Sequence, residues 1–96
     1  MKLFIDDERF PVEESWVIVR SSQEAIEWVT KNGLPEFISF DHDLGGEDTS
    51  MIFVHWFINY MLDNKIKDEV PFFVHSQNPI GKRNIEGLLL SFYSTL

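Results

Sequence analysis

Asp41, His42 and Asp43 stand in a row after the apolar run Phe37-Ile38-Ser39-Phe40 and just before Leu44, Gly45 and Gly46. Asp6, Asp7 and Arg9 follow a second apolar run, and His75, Ser76 and Asn78 follow a third, Pro71 to Val74. Carboxylates brought together in such numbers either hold a cation or repel one another. Asp6, Asp7, Asp41 and Asp43 are therefore the candidate metal ligands. Oxygen donors without any cysteine suit Mg²⁺ or Mn²⁺ best, with Ca²⁺, or Zn²⁺ through the histidines, as alternatives. His42 and His75 add the option of general acid–base chemistry, and Asp41 between them is the third catalytic candidate. Arg9, Ser76 and Asn78, with backbone N–H groups near the glycine pair and a following helix start, suit phosphate oxygens.

These groups have to be positioned by secondary structure. Short runs rich in aromatic and β-branched residues read as buried strands at 2–5, 16–19, 37–40 and 71–75. Ser21 and Glu24 have capping-box spacing and open a helix to about Asn32, with Ala25, Ile26, Val29 and part of Trp28 inward and Gly33 and Pro35 ending it. Asp48 or Thr49 is expected to cap a second helix to about Asp63, apolar nearly all round. Asn78 as N-cap with Pro79 in the first turn, or a start near Gly81, opens a third to about Tyr93, its apolar side carrying Ile85, Leu88, Leu89 and Phe92. Strands separated by helices imply a mostly parallel sheet. The link at 6–15 is too short and proline-broken for a crossover helix, but ten extended residues span about 33 Å. That reach permits parallel pairing without a helix; an antiparallel hairpin is the alternative. In a parallel arrangement every chemical group named above lies at one edge, where ligands bind in open α/β sheets. Side-chain alternation lets Asp41 and Asp43 point together while His42 points away.

With 96 residues the chain is expected to form one domain, and 44% hydrophobic and 15% aromatic residues argue against disorder. A net charge of −8 argues against general binding to a nucleic-acid backbone, which needs clustered Lys and Arg. No cysteine is present, and the acidic start, Asp6-Asp7, interrupts any signal-peptide core, so a cytoplasmic location is expected. The longest apolar stretch, Met51 to Leu62, would be about 18 Å long as a helix, too short to span a bilayer. His55 inside it is expected to be structural, and Glu13 and Glu14 to be surface residues.

The order of these motifs resembles response-regulator receiver domains. That resemblance implies a flavodoxin-like three-layer α/β fold in which Asp6 and Asp7 match the Mg²⁺-binding acidic pair. Asp41 matches the phospho-acceptor, Ser76 the phosphate-contacting hydroxyl, and Asp43 the metal-binding backbone position. The chain is more similar to a divergent branch, the cyclic-phosphate processing receiver domain, through LFIDDER at 3–9, FDHDLGG at 40–46 and HSQNPIG at 75–81. A truncated receiver is implied, with about four mostly parallel strands and three helices. The first crossover helix is missing, as are the fifth strand and its lysine. Acting on cyclic phosphates of RNA ends or of nucleotides is the activity the resemblance implies.

Two routes to that activity fit the residues. Either His42 and His75 serve as acid and base across a scissile phosphodiester, or the four aspartates hold a cation that polarises phosphate and activates water. In both, Arg9 stabilises added negative charge while Ser76 and Asn78 orient oxygens. The alternative from another class is a receiver-like module without turnover. It would bind a cation or phosphorylated ligand and act through protein contact, with the exposed part of helix 49–63 as a homodimer surface. Phospho-acceptor signalling through Asp41 would lack the strand-five lysine.

Overall fold

A computed structural model describes all 96 residues. Strands β1 (Lys2–Ile5), β2 (Trp16–Val19), β3 (Phe37–Phe40) and β4 (Phe72–Val74) form one sheet in the order β2-β1-β3-β4, parallel throughout. Helices α1 (Ser22–Asn32), α2 (Ser50–Asp63) and α3 (Pro79–Tyr93) alternate with them. This is the truncated receiver-like α/β fold the sequence implies, and the hairpin alternative for β1 and β2 is excluded by their parallel register, Lys2 opposite Trp16 and Ile5 opposite Val19.

The layers follow from connection geometry. The β2–α1–β3 and β3–α2–β4 units step across the sheet in the same direction, so right-handed crossovers place their helices on the same face. There α1 packs on α2 and α2 on α3. Leu3, Ile5, Ile38, Phe40 and Val74 point into that layer and meet Val29, Phe53, Phe57, Ile85 and Leu89 in a single buried core. The step from β1 to β2 runs the other way. Its segment, 6–15, therefore serves the opposite face, where Phe10 to Glu14 border a concavity with Trp16 and Ile18. The third layer of a receiver is here reduced to that segment. Phe4, Ser39 and Phe73 form a row across this second face, by register and alternation.

Local signals explain the ends of the helices. Ser21 Oγ accepts the Glu24 amide at 3.0 Å, and Gly33 closes α1 at φ 84°. Asn78 Oδ1 accepts the Gly81 amide at 2.9 Å, with Pro79 in the first turn of α3. One expectation is corrected. Thr49 occupies the N-cap of α2 but its side chain makes no cap bond. Asp48 reaches instead to the start of α1, accepting from the Ser22 amide at 2.9 Å and the Ser22 hydroxyl at 2.5 Å. The preceding glycines, at φ 92° and 57°, curl the 43–49 loop so that Asp48 faces α1 rather than its own helix. Asp48→Ala is accordingly expected to destabilise the fold by about 1–2 kcal/mol, measured by urea denaturation.

His55 lies on the exposed side of α2 rather than in the core. α2 itself is central, burying Phe53, Val54, Phe57 and Met61 and leaving Ile52 and Leu62 half exposed. No helix is long and apolar enough to cross a membrane.

Candidate functional site

Hydrogen bonding continues one residue beyond β1, β3 and β4. The Asp6 amide donates to Val19 O at 3.1 Å, Asp41 to Ile5 O at 2.8 Å, and His75 to Phe40 O at 2.8 Å. Alternation therefore holds one step further and places Asp6, Asp41 and His75 on the face of Phe4, Ser39 and Phe73. His42 falls on the helix side, against Gly81. Carboxylate oxygens of Asp6, Asp7 and Asp41 still come within 4.8 Å of one another, because all three sit at the sheet edge.

Asp6 is the hub. It is fully buried, and its Oδ1 accepts the amides of Glu8 at 3.0 Å and Arg9 at 2.9 Å. Its Oδ2 accepts from Arg9 Nε at 3.0 Å and pairs with His75 Nε2 at 2.9 Å. Burial by itself would raise the Asp6 pKa. The amides, His75 and the Arg9 charge outweigh burial and hold the carboxyl below its ordinary value. The Arg9 guanidinium also reaches Asp41 Oδ2 at 3.2 Å, so it bridges the two carboxylates. Burial works against that charge, but Asp41 and Asp6 together raise the Arg9 pKa.

His75 has no ring nitrogen to spare. Nδ1 pairs with Ser39 Oγ at 2.7 Å, Nε2 with Asp6, and the ring stacks on Phe4 at 4.6 Å with planes 5° apart. Ser39, His75 and Asp6 thus form a chain across three strands, which suits His75 to orienting Asp6.

The second group lies on the helix side. His42 Nδ1 pairs with Asp43 Oδ1 at 3.0 Å, and Asn78 Nδ2 donates to Asp43 Oδ2 at 3.2 Å. The bond with His42, then that with Asn78, holds the Asp43 carboxyl below its usual range. His42 does point away from Asp41, as alternation implies. Asp43 does not join Asp41, because pairing stops after Asp41 and the loop turns Asp43 back onto His42. Nε2 of His42 makes no bond within the protein. Ser76 Oγ accepts the Asn78 amide at 3.1 Å, so Ser76 and Asn78 brace the start of α3.

The His42 ring lies against Gly81. A Cβ built there would stand 2.3 Å from His42 Cγ and 2.7 Å from Cδ2. Gly87, on the same helix, has nothing within 4 Å of such a Cβ. Alanine normally stabilises a helix by up to about 1 kcal/mol relative to glycine. Gly87→Ala should show that gain, whereas Gly81→Ala should lose about 1–3 kcal/mol and displace the His42 ring, read by thermal denaturation and histidine NMR shifts.

Several contributors escaped the sequence reading. Arg20 donates to the carbonyls of Asp6 at 3.0 Å and Arg9 at 2.6 Å, and the Ser50 hydroxyl to that of Asp41. Ser39 and Gly81 take their roles from contacts with distant segments, and Ser50 meets Asp41 across the intervening 43–49 loop. Arg20 sits immediately after a strand, as Asp6 and Asp41 do, and that position was the available clue. The largest cavity, about 540 Å³ and lined by Glu69, Val70, Phe72, Glu86, Leu90 and Tyr93, lies at the other end of β4. The polar cluster is an open edge.

The donor chemistry of Asp6, Asp7 and Asp41 fits a hard divalent cation. Asp7 and Asp41 are the less occupied members, since Asp6 already accepts from four donors.

A family model described as the cyclic-phosphate processing receiver domain matches residues 1–91. No curated protein and no solved structure matches the chain.

Proposed function

Because the chain belongs to the cyclic-phosphate processing receiver domain family, we propose that its polar sheet edge hydrolyses a cyclic phosphate diester. A 2′,3′-cyclic phosphate, of a nucleotide or an RNA end, is the proposed substrate class. The observation that carries the reading is the cluster of Asp6, Asp7 and Asp41 oxygens within 4.8 Å, bridged by Arg9. In an edge so rich in carboxylates, an anionic ester needs positive charge to approach.

Asp6, Asp7 and Asp41 would hold Mg²⁺ or Mn²⁺, which when bound supplies charge neutralisation and a more acidic water. Arg9 places N–H donors toward the phosphate as charge builds on its oxygens. Water adds to phosphorus and releases one proton to solvent, the bond from phosphorus to one ribose oxygen breaks, and that oxygen leaves with a proton from an imidazolium that solvent recharges. His42 is the group suited to deliver it, since Asp43 orients Nδ1 and leaves Nε2 free. His75 is assigned to positioning Asp6, because both its nitrogens are engaged. This reading keeps the metal route and gives the two histidines separate roles.

The test is incubation with a 2′,3′-cyclic nucleotide and Mg²⁺, followed by phosphorus NMR. A linear monoester signal that requires the protein supports hydrolysis. An unchanged cyclic signal across nucleobases and both metals refutes it. The open edge, lying outside the largest cavity, favours one other reading, a module that binds a phosphorylated ligand without turnover. Calorimetric binding without any product would identify that case.

A further inference from the structure

We infer that Arg9 is an internal cation that competes with a divalent ion for Asp6 and Asp41, and that displacing it frees the guanidinium for a phosphate oxygen. The inference rests on the reading that a divalent cation works at this edge, and goes beyond it by assigning Arg9 two alternative partners.

Two of the three clustered carboxylates are already bridged by one guanidinium, through Nε to Asp6 Oδ2 at 3.0 Å and Nη2 to Asp41 Oδ2 at 3.2 Å. A divalent ion drawing on Asp6 and Asp41 would have to share those oxygens or take them. Sharing would set a divalent ion beside the guanidinium on the same two carboxylates, at contact distances where like charges repel. Exchange avoids this.

The backbone is built to permit exchange. The Arg9 amide is fixed to Asp6 Oδ1 at 2.9 Å, and its carbonyl accepts from Arg20 at 2.6 Å. Arg20 also holds the Asp6 carbonyl at 3.0 Å. None of these bonds uses the Arg9 guanidinium, so the side chain can leave the carboxylates without moving the turn. That side chain is 42% exposed, whereas Asp6 is fully enclosed and Asp41 nearly so. The mobile partner of the pair is thus the cation. His75 Nε2 remains on Asp6 Oδ2 and keeps the carboxylate aimed when Arg9 departs.

The test uses Mn²⁺ alone as probe, titrated by electron paramagnetic resonance into wild type, Arg9→Gln and Arg9→Lys. Arg9→Gln should bind Mn²⁺ roughly tenfold or more tightly than wild type, the effect of removing one adjacent positive charge. Arg9→Lys retains the charge without the fork that bridges both carboxylates, and should bind Mn²⁺ more weakly than Arg9→Gln. In wild type, saturating Mg²⁺ should shift the Arg9 Nε–H resonance, and inorganic phosphate added next should shift it again. Amide spectra establish that each variant is folded. Mn²⁺ binding in Arg9→Gln no tighter than in wild type overturns the inference. An Arg9 resonance unmoved by Mg²⁺ does so too, as does absence of Mn²⁺ binding in all three proteins. Turnover is not read, so failure here and failure of the hydrolase reading are separable.

Discussion

Asp6→Ala is expected to destabilise the protein by about 3–5 kcal/mol, the range found when one partner is removed from a buried ion pair. Two amide donors, the Arg9 guanidinium and His75 all converge on this carboxylate, which is fully enclosed. Alanine leaves four donors without an acceptor. Asparagine keeps the shape but turns an N–H₂ group toward donors, so Asp6→Asn should lose much of the same stability. Against a total of about 5–15 kcal/mol for a domain, either change is severe. Acid provides an independent check. The folded Asp6 pKa lies below the ordinary 3.8, so its contribution is fully present above that value and disappears as pH falls through the folded pKa. The gap in urea midpoint between wild type and Asp6→Ala should therefore be widest at pH 7 and narrow as pH falls below 3.8. A variant within about 1 kcal/mol of wild type at pH 7 would refute the hub role.

His42→Ala is expected to lower turnover of a 2′,3′-cyclic nucleotide by about 10²–10⁴-fold, the usual size of a general-acid contribution. The variant should remain folded, because His42 contributes one ring bond to the exposed Asp43 and packing against Gly81. His75→Ala should differ in kind. It removes the link between Ser39 and Asp6, so it should weaken Mn²⁺ binding as well as turnover. Phosphorus NMR gives the rates and Mn²⁺ titration the binding. Equal loss of metal affinity in both variants would contradict the separate roles assigned to the two histidines.

The divergence between these histidines shows where sequence reasoning stopped. Alternation along β3 correctly turned His42 away from Asp41. It also suggested that Asp43 returns to Asp41's side, which holds only while the strand continues. The ladder ends at Asp41, the glycines at φ 92° and 57° redirect the chain, and Asp43 meets His42 and Asn78. Asp48 was misassigned for a related reason. A capping residue satisfies whichever helix start its loop brings within reach, and here that was α1.

By itself the sequence determined the strands, the helices, the caps of α1 and α3, and the gathering of Asp6, Asp7 and Asp41 at one edge. Those features depend on local periodicity, on Ser21 and Asn78 as caps, and on the rule that parallel strands end together. Tertiary structure decided which oxygen meets which nitrogen. The engagement of both His75 nitrogens by Asp6 and Ser39 and the contact of Gly81 with His42 each join segments at least 36 residues apart. Hydrogen bonds and steric contacts act over a few ångströms, and no local pattern specifies distances that short between segments so remote along the chain.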